Sequence, residues 1–193
     1  LNIVERFKKH NDNVYGVWVD LSIKGGGKKM YDAIKKHIHS VDILINNAII
    51  NRGSRFLLSK KHDDWEQEVS VNINGNIVLT QNIVNLMKIR KVKGRIINIT
   101  SSSSKAFSTN LNSGSEILTQ SMIEKYGKLL ADELYQYKIA VTTVRINENI
   151  SRNKKGYFNF KSDDNFLKKH FGNSFSDSLD KFMPLFMYSI KAP

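Results

Sequence analysis

The residues best suited to chemistry in this chain stand where apolar runs stop. Residues 41–50, VDILINNAII, read as a short buried strand halted by two consecutive amides, Asn46 and Asn47, with Ala48 behind them. A short apolar run bounded by polar breakers fits a strand buried on both faces of a parallel sheet. Ligands of open α/β sheets sit just past the carboxyl ends of such strands, so the amides stand at the binding end. Residues 95–100, RIINIT, stop at the hydroxyl run Ser101 to Ser104, and residues 14–21, VYGVWVDL, stop at Asp20 and Leu21. Two Tyr-x-x-x-Lys strings, Tyr31 with Lys35 and Tyr157 with Lys161, space a phenol and an ammonium one helical turn apart. Metal chemistry is poorly served. The sequence has no cysteine, and His37 and His39, two apart, share no helix face. Asp63-Asp64 and Asp163-Asp164 suit the first turns of helices.

The elements that must position these groups alternate between strand and helix. Residues 1–10 read as the end of a surface helix with Ile3, Val4 and Phe7 on one face. The strand at 14–21 leads through Lys24-Gly25-Gly26-Gly27-Lys28 to a helix whose apolar side is Met30, Ala33, Ile34 and Ile38. After the strand at 41–45 come a loop at 51–61 and a long helix from about Asp63, favoured by the capping and acidic residues of His62-Asp63-Asp64. Its inner stripe is expected to be Trp65, Val69, Ile73, Ile77, Thr80 and Val84. A helix at 116–137 is expected to bury Ile117, Met122, Leu129, Leu130 and Leu134, and a third β-rich run covers 139–146. The tail holds an Asn/Lys/Phe segment and an apolar helix around 179–190. This order argues βαβ units, a parallel sheet and a single domain over 1–193, without internal repeats.

Composition narrows the classes. The 193 residues suffice for about one domain with a sizeable core, and 40% hydrophobic with 25% charged residues is ordinary for a globular protein. No run approaches the roughly 20 apolar residues of a membrane span. The opening LNIVERFKKHNDN lacks the pattern of an export signal. An intracellular, soluble protein is the expectation, with the mitochondrion or another organelle as a candidate compartment. A net charge of +12 suits an anionic partner such as RNA or an acidic surface. The lysines are scattered in pairs, however, as on solvated helix faces.

Five stretches follow one another in a telling order: Asp20 after VYGVWV, Asn46-Asn47-Ala48, Asn72 in VNING, GRIINITS ending in Ser101, and LADEL at 130–134 before a last β run. Together they are similar to the motifs of the short-chain dehydrogenase/reductase family. The resemblance spans nearly the whole chain and implies a Rossmann-like, doubly wound α/β fold with NAD or NADP as cofactor. It implies that Asp20, with Leu21 beside it, meets the adenine ring and that Asn46, Asn47 and Ala48 line the cofactor. It also implies that Asn72 holds a water of a proton relay and that Ser101 is the catalytic serine. In the same alignment the family's Tyr and Lys fall on Glu116 and Gln120, so E-I-L-T-Q stands where the family has Y-x-x-x-K. The two Tyr-x-x-x-Lys strings fall out of reach of Ser101 and read as chance matches, and Tyr126 lies almost three turns too late on the right helix with no Lys one turn after it. Ile49 replaces the glycine of the family's NNAG, and Ile146-Asn147 replace its Pro-Gly. The glycine-rich turn that cradles the pyrophosphate is absent, and residues 24–28, which follow the family's third strand, read as a loose loop.

A Glu–Gln pair supplies no cation for the nicotinamide ribose, and groups that act as a unit take most of the rate with them when replaced. The expectation is therefore a catalytically degenerate homologue serving as a structural or regulatory subunit of a hetero-assembly or a family-type homo-oligomer. The basic surface and Phe158, Phe160, Phe166, Phe171 and Phe175 would supply contacts. The alternatives are an NAD(P)-dependent oxidoreductase with Glu116 in the tyrosine's role, and a basic RNA-associated protein. The sheet is expected to be incomplete at both ends, lacking the family's first strands and last strand. The chain would then be part of a longer protein, or a partner would complete its unpaired edges.

Overall fold

The computed structural model describes residues 4, 5, 8, 13–52, 56–101 and 114–146. Three parallel strands, β1 (Ile43–Asn46), β2 (Arg95–Ser101) and β3 (Ala140–Ile146), lie in the order β1-β2-β3. Parallel neighbours need long crossovers, and helices supply them. The first crossover holds α2 (His62–Val69), a π turn (Ser70–Gly75) and α3 (Asn76–Arg90). The second holds α4 (Gly114–Leu134) with a 3-10 turn behind it (Tyr135–Tyr137). Helix α1 (Gly26–Ile34) precedes β1. This is the Rossmann-like α/β arrangement expected. The register sets Asn46 beside Asn98, Asn98 beside Thr143, and Ser101 beside Ile146, so the carboxyl ends of the strands gather on one side.

The core lies between one sheet face and α3 with α4. Leu44 and Ile96 project from the strands against Ile83 and Met87 of α3 and Leu130 and Leu134 of α4, with Ile96 and Met87 fully buried. Met30, Tyr31 and Ile34 of α1 pack on its margin. Lys91 (φ 55°) behind α3 and Lys138 (φ 58°) behind the 3-10 turn take the left-handed conformation that ends helical runs.

Several expectations change once the elements pack. Residues 14–20 are not a strand: no described segment lies beside them to form a ladder, and a strand exists only through its neighbour. Trp18 there is exposed and Tyr15 stacks on His37 at 4.8 Å. Strand β1 is buried on one face, since Leu44 and Asn46 are buried while Ile45 is 43% exposed. Residues 25–27 are no loose loop. Gly25 takes φ 79° at the head of α1, and Gly26 and Gly27 are buried where α1 presses on its neighbours. A Cβ on Gly27 would stand 2.5 Å from the Gly75 carbonyl oxygen. Helix α2 has Lys61, not a side-chain cap, at its start, with Asp63 and Asp64 in its first turn. Of the expected inner stripe Ile73, Thr80 and Val84 are buried while Trp65, Val69 and Ile77 are only partly so, and past the π turn α3 also buries Leu79, Ile83 and Met87. On α4 the buried side carries Thr119, Gln120, Ile123 and Gly127, while Met122 and Leu129 are about half exposed. The expected elements at 1–10 and 179–190, with Tyr157, Lys161, Asp163, Asp164 and the five tail phenylalanines, lie wholly or mostly outside the described residues. No helix among the described residues is long and apolar enough to cross a membrane.

Candidate functional site

As the chain leaves β1 it runs alongside the helix formed by α2, the π turn and α3, and three buried side chains of that helix hold it. Asn76 donates Nδ2–H to the Ala48 carbonyl at 3.2 Å. Asn72 holds Ile50 by both backbone groups, accepting its N–H at 2.8 Å and donating to its carbonyl at 2.9 Å. Glu68 accepts the Arg52 N–H, and Lys60, paired with Glu68, donates to the Arg52 carbonyl at 3.0 Å. Positions 68, 72 and 76 recur every four residues, close to one helical turn, so they share a face, and alternate residues of an extended chain also share a side. The two repeats match well enough for every second loop residue to meet a polar side chain.

The intervening residue faces the other way. Asn51 donates Nδ2–H to Oε2 of Glu116 in the first turn of α4. The Glu116 carbonyl accepts from Thr119, whose Oγ1 in turn accepts the second Nδ2–H of Asn72 at 3.2 Å. Asn72 and Glu116 thus belong to one network, in which both amide protons of Asn72 are committed to the framework. Gln120, one turn beyond Glu116, is 2% exposed and carries no charge.

The ion pair beneath this network is unusual in being enclosed. The Glu68 and Lys60 side chains are 0% and 3% exposed. Burial works to raise the Glu68 pKa, but hydrogen bonds from Lys60, Ser115 and the Arg52 amide outweigh it and hold the carboxyl below its ordinary value. Sequence reading missed this pair and Asn51. Both lie in stretches that look like loop and solvated helix, and the only available signal was a glutamate on the otherwise inward side of α2.

The other expected site residues separate into two groups. Asp20 ends the extended segment as a solvent-facing carboxylate; the Ser22 hydroxyl (2.6 Å) and amide (2.8 Å) donate to Oδ1 and, with the charge of Arg52, lower its pKa. Leu21 lines a cleft of about 260 Å³ with Gly25, Gly26 and Gly75. Asn47 and Ala48 are exposed at the end of β1. Asn46 points into the core, donating to Thr80 Oγ1 and Asn98 Oδ1, both at 2.9 Å. Thr80 also shares a hydrogen bond with Tyr126, whose hydroxyl is pushed up to about 12 by burial and the nearby Glu133. Tyr126 is thus a core residue with no place in the site. Tyr31 likewise packs on the core, with Lys28 and Lys35 over its ring at 5.8 and 5.6 Å. Ser101 closes β2, and Ser102, Ser103 and Ser104 lie outside the described residues. No group of three or more metal-ligating side chains is found among the described residues.

Comparison with known proteins agrees with the fold. The family profile described as short chain dehydrogenase matches residues 1–149. A 3-oxoacyl-[acyl-carrier-protein] reductase of Aquifex aeolicus is 32% identical over 136 residues, covering 70% of this chain and 53% of the relative. A probable chlorophyll(ide) b reductase of Oryza sativa is 30% identical over 132 residues, 67% of this chain and 26% of the relative. The chain spans about half the length, or less, of these curated relatives. Among solved structures, a short chain dehydrogenase from Leptospira borgpetersenii with bound NAD+ has TM-score 0.63 at 24% identity, covering 71% of this chain and 54% of its own. A gluconate 5-dehydrogenase from Burkholderia cenocepacia in complex with NADP has TM-score 0.64 at 22% identity, covering 76% and 56%.

Proposed function

The chain belongs to the short-chain dehydrogenase family, and from that premise we propose that it keeps the family's adenine-side binding surface while lacking its Tyr–Lys proton transfer. Such a protein serves a larger assembly as a structural or regulatory subunit. The exposed, ionised Asp20 fits an acceptor for an adenine amino group, with Leu21, Asn47 and Ala48 beside it. A bound nicotinamide dinucleotide would supply hydride chemistry. The observation that carries the reading is Gln120: neutral and buried at 2% exposure, it leaves the position one turn after Glu116 without the cation that lowers a proton donor's pKa.

A second reading, an NAD(P)-dependent oxidoreductase using Glu116 as acid and base, is favoured by the Asn51 hydrogen bond, which orients that carboxylate. One experiment separates the two. The protein in its longest native form is tested for NADH and NADPH binding by fluorescence, and for reduction of 3-oxoacyl thioesters, the substrate class named for a relative. Dinucleotide binding without turnover supports the degenerate reading. Turnover that disappears in Glu116→Gln would replace it with the second.

A further inference from the structure

We propose that the buried Lys60–Glu68 ion pair is a positioning device that presents Asn51 to Glu116. Arg52 is held by both backbone groups, N–H by Glu68 and C=O by Lys60, much as a strand residue is held by a neighbour. Two residues earlier Ile50 is held the same way by Asn72. Asn51 between them is turned away from the helix, as the two-residue period of an extended chain requires, and its carboxamide reaches Glu116. The other side of that bridge is anchored by the same carboxylate, because Glu68 also takes a hydrogen bond from Ser115, the neighbour of Glu116. One buried charge thus sets both the loop behind β1 and the first turn of α4.

Stability alone does not account for the pair. Both ions are removed from water, and exchanging a buried pair for well-packed apolar groups is often neutral or stabilising. What an apolar pair cannot do is hold one residue by its amide and its carbonyl at once. The functional meaning rests on the assignment of Glu116 to the proton-transfer position, but the positioning itself does not.

The test uses the full chain and needs no ligand. Lys60→Met with Glu68→Leu fills the same space without charge. Its urea midpoint is expected to stay or rise, while exchange of the Asn51 carboxamide protons with water, followed by NMR, accelerates by about tenfold or more. The carboxamides of Asn46 and Asn98, in the core away from the pair, keep their rates. That separates loss of position from general loosening, which would move all three. Ser115→Ala, which leaves the pair in place and cuts its link to α4, is the second variant and is expected to quicken Asn51 exchange while Asn46 and Asn98 keep their rates. A folded double variant with unchanged Asn51 exchange overturns the proposal. Should the double variant not fold, unchanged exchange in Ser115→Ala overturns it equally. Absence of dinucleotide binding would defeat the proposed function and leave this result standing.

Discussion

Substituting Gly27 by alanine sets helix propensity against packing, and the structure decides the sign. Residue 27 is the second of α1, where alanine gains about 1 kcal/mol over glycine from backbone entropy. The added Cβ would lie 2.5 Å from the Gly75 carbonyl oxygen and 3.1 Å from the Leu79 amide nitrogen. Both are backbone atoms of the π turn and α3, so neither yields by a side-chain rotation; helix must move against helix. Overpacking of this kind costs about 1–3 kcal/mol, and with rigid neighbours the upper part of that range applies, leaving a net loss of about 1–2 kcal/mol. At a slope of about 2 kcal/mol per molar urea, the midpoint falls by roughly 0.5–1 M with no change of slope. Lys29→Ala, two residues on and solvent-exposed, is the control and is expected to stay within about 0.5 kcal/mol of wild type. A Gly27→Ala midpoint equal to or above wild type would refute the contact between α1 and the π turn, and return residues 25–27 to the loose loop that sequence alone suggests.

Three further outcomes follow from the buried groups. Lys60→Met alone strands the Glu68 carboxylate without its cation and is expected to cost about 3–5 kcal/mol in urea unfolding, more than the double exchange with Glu68→Leu. Because the folded pKa of Glu68 is lowered from 4.5, its contribution is present above that value and is lost as pH falls below it. The double variant should lose less stability than wild type over that acid range, read by chemical denaturation at stepped pH. The Tyr126 hydroxyl is raised to about 12, so its share of stability is intact below pH 10 and fades as pH climbs toward 12. Tyr126→Phe, which also gives up the bond to Thr80, should unfold about 1 kcal/mol more easily at neutral pH and flatten the alkaline loss.

Much of the framework was legible because it is local or periodic. The apolar run ending in Asn46 and Asn47, the RIINIT strand and the third β run announce parallel strands joined by helices, and all three appear in the sheet within a few residues of their expected ends. The order of short motifs indicated the family. What sequence could not reveal depends on which distant residues meet. Residues 14–21 have the composition of a strand, but composition does not supply a neighbour to pair with. Met122 and Leu129 are apolar yet outward, because α4 is rotated by its contact with the sheet at Gly127, where a Cβ would come within 2.5 Å of Thr143 Oγ1. Lys60 and Glu68 look like surface charges until α2 folds back over the loop and encloses them. Their pairing, the hold on Arg52 and the reach of Asn51 to Glu116 join segments as far as 65 residues apart. Local periodicity determines which face of an element is apolar; only the packed chain decides which polar groups are enclosed together and must satisfy one another.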